Sequence, residues 1–435
     1  MSKKVKKINI PLSKILIICF LIFVAFHFVK NGKNKENLSE NKTKITNSSK
    51  KESSVKISPL SFNDVVKSLE QNPPKLNQCR DTVKWQKGVI IRHFSIDTTL
   101  QKKTRALVSR AKVKYGAAVA LNPETGQILA MVSQTDAEQQ KIAENLCLSS
   151  KFPAASIFKT VTAEAAFENT EITCTTKINF VGRNTTLYKN QFFPEDFGEK
   201  SNSVEFLEAY AKSINPIFGW LAIHEIGREK LYKSAQKFGW NTKIPFEMSC
   251  DVSVFPETNA QNVKDTINIA EIGSGFNNET TLTPLLGGLI ASTVINKGNM
   301  MAPTIIDSIT DKSGKKLYAA NTRKWKRCTA YDIADSLKFL MQQTTKIGSA
   351  RMAFAEARKT LPRSNNIISG GKTGTKDSEL GRNEWFTGFA QDTLNDVSIV
   401  TSVCLVQYPM FILRPSQISA DIMFDYLLRK NKETE

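Results

Sequence analysis

The sequence predicts an α+β fold: a mostly antiparallel β-sheet packed by helices, an all-helical lobe between its strands, and a transmembrane helix at the N-terminus. Three observations lead there. β-type runs flank the turn Asn122-Pro-Glu-Thr-Gly126 and return at 365–376, 384–391 and 397–407. Helical patterns fill 156–168 and 204–238 between them. Ile15 to Val29 carries no formal charge between Lys14 and Lys30.

In chain order, residues 1–30 are expected to form a membrane anchor. The apolar run is short for a span of about 20 residues, but both flanking lysines can snorkel and Ile8 to Leu12 can extend it. A cleaved signal peptide has a similar apolar length, yet no small-x-small cleavage site follows, which favours an uncleaved anchor. Lysines are balanced across the span, so orientation is not decided by the positive-inside rule. Residues 31–57 are almost purely Asn, Lys, Ser, Thr and Glu, and read as a flexible polar linker. Residues 58–95 read as a small N-terminal segment with Phe62, Val65, Leu69 and Trp85 as apolar anchors. The main domain is placed at 96–435, opening with a helix over Leu100 to Val113 and closing with one over Arg414 to Lys430.

Three short strings carry chemistry. Ser156-Ile-Phe-Lys159 follows Phe152-Pro153 and opens an Ala-rich helix, so the i, i+3 spacing puts Lys159 on the face of Ser156. A serine hydroxyl needs a base to become a nucleophile, and a desolvated lysine can serve. An N-capping Ser with a solvated Lys is the ordinary reading of any single Ser-x-x-Lys, and Phe158 and Val161 beside Lys159 argue against it. Ser213-Ile-Asn215 falls in a turn between two helical runs, where both side chains can face one cleft, although capping alone accounts for the pair equally well. Lys372-Thr373-Gly374-Thr375 lies in a glycine-rich β-type run, which suits close approach of a ligand backbone and also suits an exposed hairpin.

Together these strings resemble the Ser-x-x-Lys, Ser-x-Asn and Lys-Thr-Gly set of the penicillin-binding protein transpeptidase domain, within the serine DD-peptidase and β-lactamase-like superfamily. Tyr115 to Met131 resembles the family's opening hairpin, Ile272-Gly-Ser-Gly275 its Ile-Gly-Gln-Gly segment, and Asn383-Glu-Trp-Phe-Thr-Gly-Phe-Ala390 its Trp-Phe-x-Gly strand. Ser274 departs from the usual Gln. The resemblance covers roughly 96 to 430. It implies Ser156 as the acylated nucleophile, Lys159 as its base, Ser213 as a proton relay and Lys372 as a nearby positive charge. It also implies that Asn215, Thr373, Gly374 and Thr375 bind substrate, with an oxyanion hole made by the backbone N–H groups of Ser156 and Thr375. The implied reaction is acyl transfer on peptidoglycan stem peptides ending in D-Ala-D-Ala, with β-lactams as inhibitors and the catalytic domain outside the membrane. DD-carboxypeptidase action, a class D-like β-lactamase and a scaffold for other cell-wall synthesis proteins are the alternatives. Asn215 argues against the β-lactamase, which usually has an aliphatic residue there.

Other classes fit poorly. With His27, His93 and His224 as the only histidines and no Gly-x-Ser-x-Gly elbow, a Ser-His-Asp hydrolase is disfavoured. His224-Glu225 starts like a zinc-protease helix, but the second ligand position is Arg228, and no Cys-x-x-Cys pair occurs. No metal or cofactor is expected. The net charge of +19 divides into +10 from residues 1–57 (13 Lys, 3 Glu) and +9 from the rest (47 basic, 38 acidic). Such a spread favours anionic wall polymers or lipid headgroups over nucleic acid, for which no reading motif exists. Of seven cysteines, Cys404 reads as a buried thiol, and Cys147 and Cys174, which bracket the nucleophile helix, are the expected disulfide pair.

Overall fold

The computed structural model describes residues 58–86, 88–136, 145–193, 201–257, 263–360, 366–407 and 412–434. The expected anchor and linker lie outside the described residues. Among the described residues, no helix is long and apolar enough to cross a membrane.

The described chain opens with helix α1 (Phe62–Gln71), started by a capping box in which Ser61 and Asp64 satisfy each other's backbone N–H groups. Strands β1 (Arg80–Trp85) and β2 (Gly88–Phe94) form a hairpin, and α2 (Thr98–Arg110), capped by Asp97, leads into β3 (Tyr115–Leu121) and β4 (Ile128–Thr135). A 3₁₀ turn over Ala155–Phe158 runs into α3 (Lys159–Asn169). Next come β5 (Lys177–Phe180), β6 (Asn202–Glu205), α4 (Phe206–Ala211), α5 (Asn215–Trp220), a π-helical turn over Leu221–Ile226, α6 (Arg228–Lys237), α7 (Val263–Ser274) and α8 (Pro284–Ile295). After β7 (Asn299–Met301), β8 (Ile306–Asp311), β9 (Lys316–Ala319) and β10 (Lys324–Arg327) follow α9 (Tyr331–Lys346) and α10 (Arg351–Arg358). Strands β11 (Ile367–Ser378), β12 (Gly381–Asp392) and β13 (Val397–Gln407) and helix α11 (Pro415–Thr434) complete it.

The central sheet has the order β11-β12-β13-β3-β4, with every neighbouring pair antiparallel. Its middle strands are buried along nearly their whole length because both faces are covered. Ile399, Val403 and Leu405 of β13 join a core with α2, α10 and α11, while Val400, Cys404 and Val406 point into the larger core with α8. The period-2 alternation thus separates two hydrophobic layers across one strand. The helical lobe is built on aromatic contacts, with Phe158 edge-on to Trp240 at 5.2 Å and Phe206 tilted against Phe218 at 5.6 Å.

The expected α+β architecture with its helical lobe is present in the described residues. The run expected to be helical over 204–238 is instead divided: β6 ends at Glu205, Ser213 takes a left-handed φ of 58°, and Gly227 another at 77°. Residues 80–94 pair through β2 with β8, and β8 with β9, so the small N-terminal segment contributes two strands to a sheet completed by residues 306–319.

The expected Cys147–Cys174 disulfide is not formed, and both residues are free thiols. Bracketing a helix in sequence does not bring its ends together. Cys147 is buried with Sγ 3.1 Å from the Val132 carbonyl of β4, whereas Cys174 lies beside the Ser336 carbonyl of α9 at 3.9 Å.

Candidate active site

The site forms where the 3₁₀ turn at the head of α3 meets strand β11 and the turn between α4 and α5. Ala155 holds a left-handed φ of 48°, an uncommon state for a residue with a Cβ, and this turns Ser156 out of the Phe152–Ala154 segment. That segment is held by Ala154 N donating to Thr280 O at 2.8 Å and by the Trp385 indole N–H donating to Pro153 O at 2.9 Å. Strand β11 passes the same turn closely. A Cβ on Gly374 would sit 3.1 Å from the Ala155 methyl and 3.3 Å from the Ser156 amide nitrogen. Glycine gives the strand its closest approach to the nucleophile.

Lys159 is fully buried on the first turn of α3. Its Nζ lies 2.7 Å from Ser156 Oγ, 2.6 Å from Asn215 Oδ1 and 2.6 Å from the Ser274 carbonyl oxygen. An amide oxygen and a carbonyl oxygen can only accept. A neutral amine has two N–H bonds and one lone pair; with both N–H bonds directed to Asn215 and Ser274, the lone pair faces the Ser156 hydroxyl. Burial drives the Lys159 pKa well below its ordinary value, and the charge of Lys372 lowers it further. Asn215 is fixed in turn, its Nδ2 donating to Thr185 O at 3.0 Å. The N-terminal proline of α5, Pro216, needs no N–H partner there.

Lys372 is also fully buried, with Nζ 2.9 Å from Ser213 Oγ and 3.0 Å from Thr373 O. Burial brings its pKa down to about 7. Tyr210 supports it from below: the Lys372 ammonium stands 5.5 Å from the ring centroid, and the Tyr210 hydroxyl is bonded to Thr160 Oγ1 at 2.8 Å. Thr373 Oγ1 meets Ser349 Oγ at 2.5 Å, and Thr375 is exposed further along β11.

Ser156, Lys159 and Asn215 are therefore linked by direct polar contacts, Ser213, Lys372 and Thr373 form a second linked group, and Gly374 and Thr375 belong to the strand beside them. Two further participants, Ser274 and Ser349, lie outside the three strings. Ser274 acts through its backbone carbonyl, which no side-chain pattern reveals. Ser349 sits in a turn between α9 and α10 with no motif around it.

The arrangement can activate one hydroxyl in a water-poor pocket and places a second hydroxyl–amine pair on the other side of the cleft. The family description "Penicillin binding protein transpeptidase domain" matches residues 116–415, a span containing every residue of this network. The chain belongs to that family. Among curated relatives, it is 25% identical to Stage V sporulation protein D of Bacillus subtilis over 349 residues, 72% of this chain and 49% of that protein. It is 27% identical to Peptidoglycan D,D-transpeptidase PbpA of Mycolicibacterium smegmatis over 272 residues, 55% of this chain and 52% of that one. The chain thus spans about half the length of these curated relatives. The solved penicillin G acyl-enzyme complex of penicillin-binding protein A from M. tuberculosis superposes with a TM-score of 0.56 at 22% identity, covering 76% of this chain and 78% of that one. At that identity the superposition speaks for the shared penicillin-binding fold.

Proposed function

We propose that this protein is a membrane-anchored peptidoglycan D,D-transpeptidase that works through a Ser156 acyl-enzyme. The observation carrying this reading is the Lys159 amine, buried and held by Asn215 Oδ1 and Ser274 O so that its third direction is Ser156 Oγ at 2.7 Å. The substrate is a stem peptide ending in D-Ala-D-Ala. Lys159 takes the Ser156 proton while Oγ bonds to the carbonyl carbon of the penultimate D-Ala. The Ser156 and Thr375 backbone N–H groups stabilise the oxyanion. The C–N bond then breaks, the leaving amine takes a proton through Ser213 and Lys372, and D-Ala departs. Thr373 and Thr375 hold its carboxylate, and Asn215 holds the donor backbone. An acceptor amine on a second stem peptide attacks the ester, giving a cross-link and restoring the Ser156 hydroxyl; attack by water gives the carboxypeptidase outcome. The names of the relatives support transfer as the main reaction. In this reading Ile15 to Val29 spans the membrane with the catalytic domain on its outer side, where the wall polymer lies.

The test is labelling with a fluorescent penicillin followed by mapping of the modified peptide. A β-lactam carries its carboxylate much as D-Ala-D-Ala does, and its leaving amine stays tethered. The expected result is one long-lived adduct on Ser156 that is absent in Lys159→Ala. A folded protein that forms no adduct, or that turns the drug over rapidly, overturns the proposal.

A further inference from the structure

We infer that the cavity between α9, α10 and the first residues of β11 binds the carboxylate of the acceptor stem peptide, an inference that rests on the acyl-transfer reading above. The cavity measures about 500 Å³, and its lining includes Lys346, Arg351, Arg358, Thr345 and Ser369 but no acidic residue. Arg358 forms its wall, with its guanidinium donating to Ile367 O at 3.2 Å and Ser369 Oγ at 2.9 Å. Among the described residues, Lys346 reaches the neutral Gln342 amide oxygen, at 3.2 Å, and no carboxylate. Glu356, on the same helix as Arg351 and Arg358, pairs instead with Lys359 at 2.6 Å. Among the described residues, none of the three cations has a carboxylate within ion-pair distance. Three positive groups around one concave surface attract an anion.

Position says which anion. The turn joining α9 to α10 carries Ser349, whose hydroxyl touches Thr373 in the active site, and Arg351 lies two residues further on. Along β11, Ser369 precedes Thr373 by four residues, about 13 Å of extended strand. Thr373 takes the carboxylate of the departing D-Ala, so the space beyond it is vacated when D-Ala leaves. The acceptor amine enters through that space, and the rest of its peptide extends away from Ser156. A further three or four extended residues bring its C-terminal carboxylate to Lys346 and Arg351. Arginine suits the task because its planar fork matches a carboxylate. The donor peptide gains nothing from the cavity, since its own carboxylate is held at Thr373 and Thr375.

The test measures how the acyl-enzyme from a thioester donor divides between water and a peptide acceptor, using full-length protein. The acceptor is offered with a free C-terminal carboxylate and, separately, as its C-terminal amide. The expected result is that wild type captures the carboxylate form at lower concentration. The double variant Lys346→Ala/Arg351→Ala should need roughly tenfold more of it, with the amide form and penicillin acylation unchanged. Arg351→Lys, which keeps the charge but loses the fork, should fall between wild type and the double variant for the carboxylate form. Equal use of both acceptors by wild type overturns the inference, as does a double variant that handles both as wild type does. Loss of penicillin acylation in wild type itself overturns the acyl-transfer reading instead, and the inference with it.

Discussion

Gly275 lies directly beneath the carbonyl of Ala155: a Cβ at Gly275 would stand 1.9 Å from that oxygen and 3.0 Å from the Ser156 amide nitrogen. Its left-handed φ of 68° adds a second reason for glycine. Gly275→Ala should therefore push the turn that aims Ser156 while leaving the cores intact. The second-order rate of penicillin acylation is expected to fall by about 100-fold, the cost of a shift of roughly 1 Å at a reacting atom. Stopped-flow acylation, with circular dichroism as the control for folding, checks it. An unchanged rate would show that the turn yields without consequence.

The two buried lysines set opposite limbs of a pH profile. Acylation rises with pH as Lys159 loses its proton and becomes a base. It falls as Lys372 loses its own proton, in a limb near pH 7, since burial brings that group to about 7. The rate–pH curve should be bell-shaped, and in Lys372→Met it should be lower and lack the alkaline limb. Retention of that limb in the variant would assign it to another group.

Asn215→Asp would place a carboxylate where the amide oxygen now sits, 2.6 Å from Lys159 Nζ. A neighbouring negative charge stabilises the ammonium, so the acid limb should move upward by about 1–3 pH units. At neutral pH the acylation rate should drop accordingly. A rate–pH profile of the purified variant gives the answer, and an unmoved limb would mean that Asn215 does not control the base.

The polar network was largely legible in the sequence because its side chains come from short local motifs. Ser156 and Lys159 share one turn of chain, Ser213 and Asn215 share another, and Lys372 and Thr373 are adjacent. What helical spacing did not disclose is the backbone that completes it. The Ser274 carbonyl takes the second N–H of Lys159 because α7 ends beside α3, and the left-handed turn at Ala155 fits between β11 and Gly275 only because Gly374 and Gly275 carry no side chain there. The α+β class followed from β-type runs near both ends of the domain, around 122–126 and at 365–407, with helical patterns between them. The pairing of β2 with β8 was not legible, since more than two hundred residues separate them and neither carries a partner-specific signal. The disulfide expectation failed for a similar reason: sequence distance around α3 says nothing about which neighbours, β4 or α9, claim each thiol.

Glu164 offers a test of stability away from chemistry. It is fully buried in α3, with Ser234 and Thr329 beside its carboxylate but no hydrogen bond of good geometry to either oxygen among the described residues, and with a long ion pair to Lys237 Nζ at 3.7 Å. Burial is the main cause of its raised pKa. A carboxyl whose pKa is raised on folding favours the native state while protonated, below its unfolded value, and that contribution is lost as pH rises through the folded value. Glu164→Gln should therefore be more stable than wild type at pH 7 to 8, by ~1–3 kcal/mol, with the difference closing towards pH 4. Urea unfolding at two pH values measures it, and an equal or less stable variant at pH 8 would contradict the expectation.

The order of strands in the central sheet also governs when this protein can fold. β3 is hydrogen-bonded on one side to β4, its neighbour in sequence, and on the other to β13, where Leu121 meets Val400 from 279 positions later. The Lys372 strand reaches the sheet only through β12 and β13. Until residues near 407 have been synthesised, the chain can close the β3–β4 hairpin but not the surface against which α8 and α11 pack. Such long-range closure makes folding slow and leaves apolar strand edges open meanwhile. Lys372 and the Thr375 backbone take their places beside Ser156 only once this late closure has brought β11 onto the sheet.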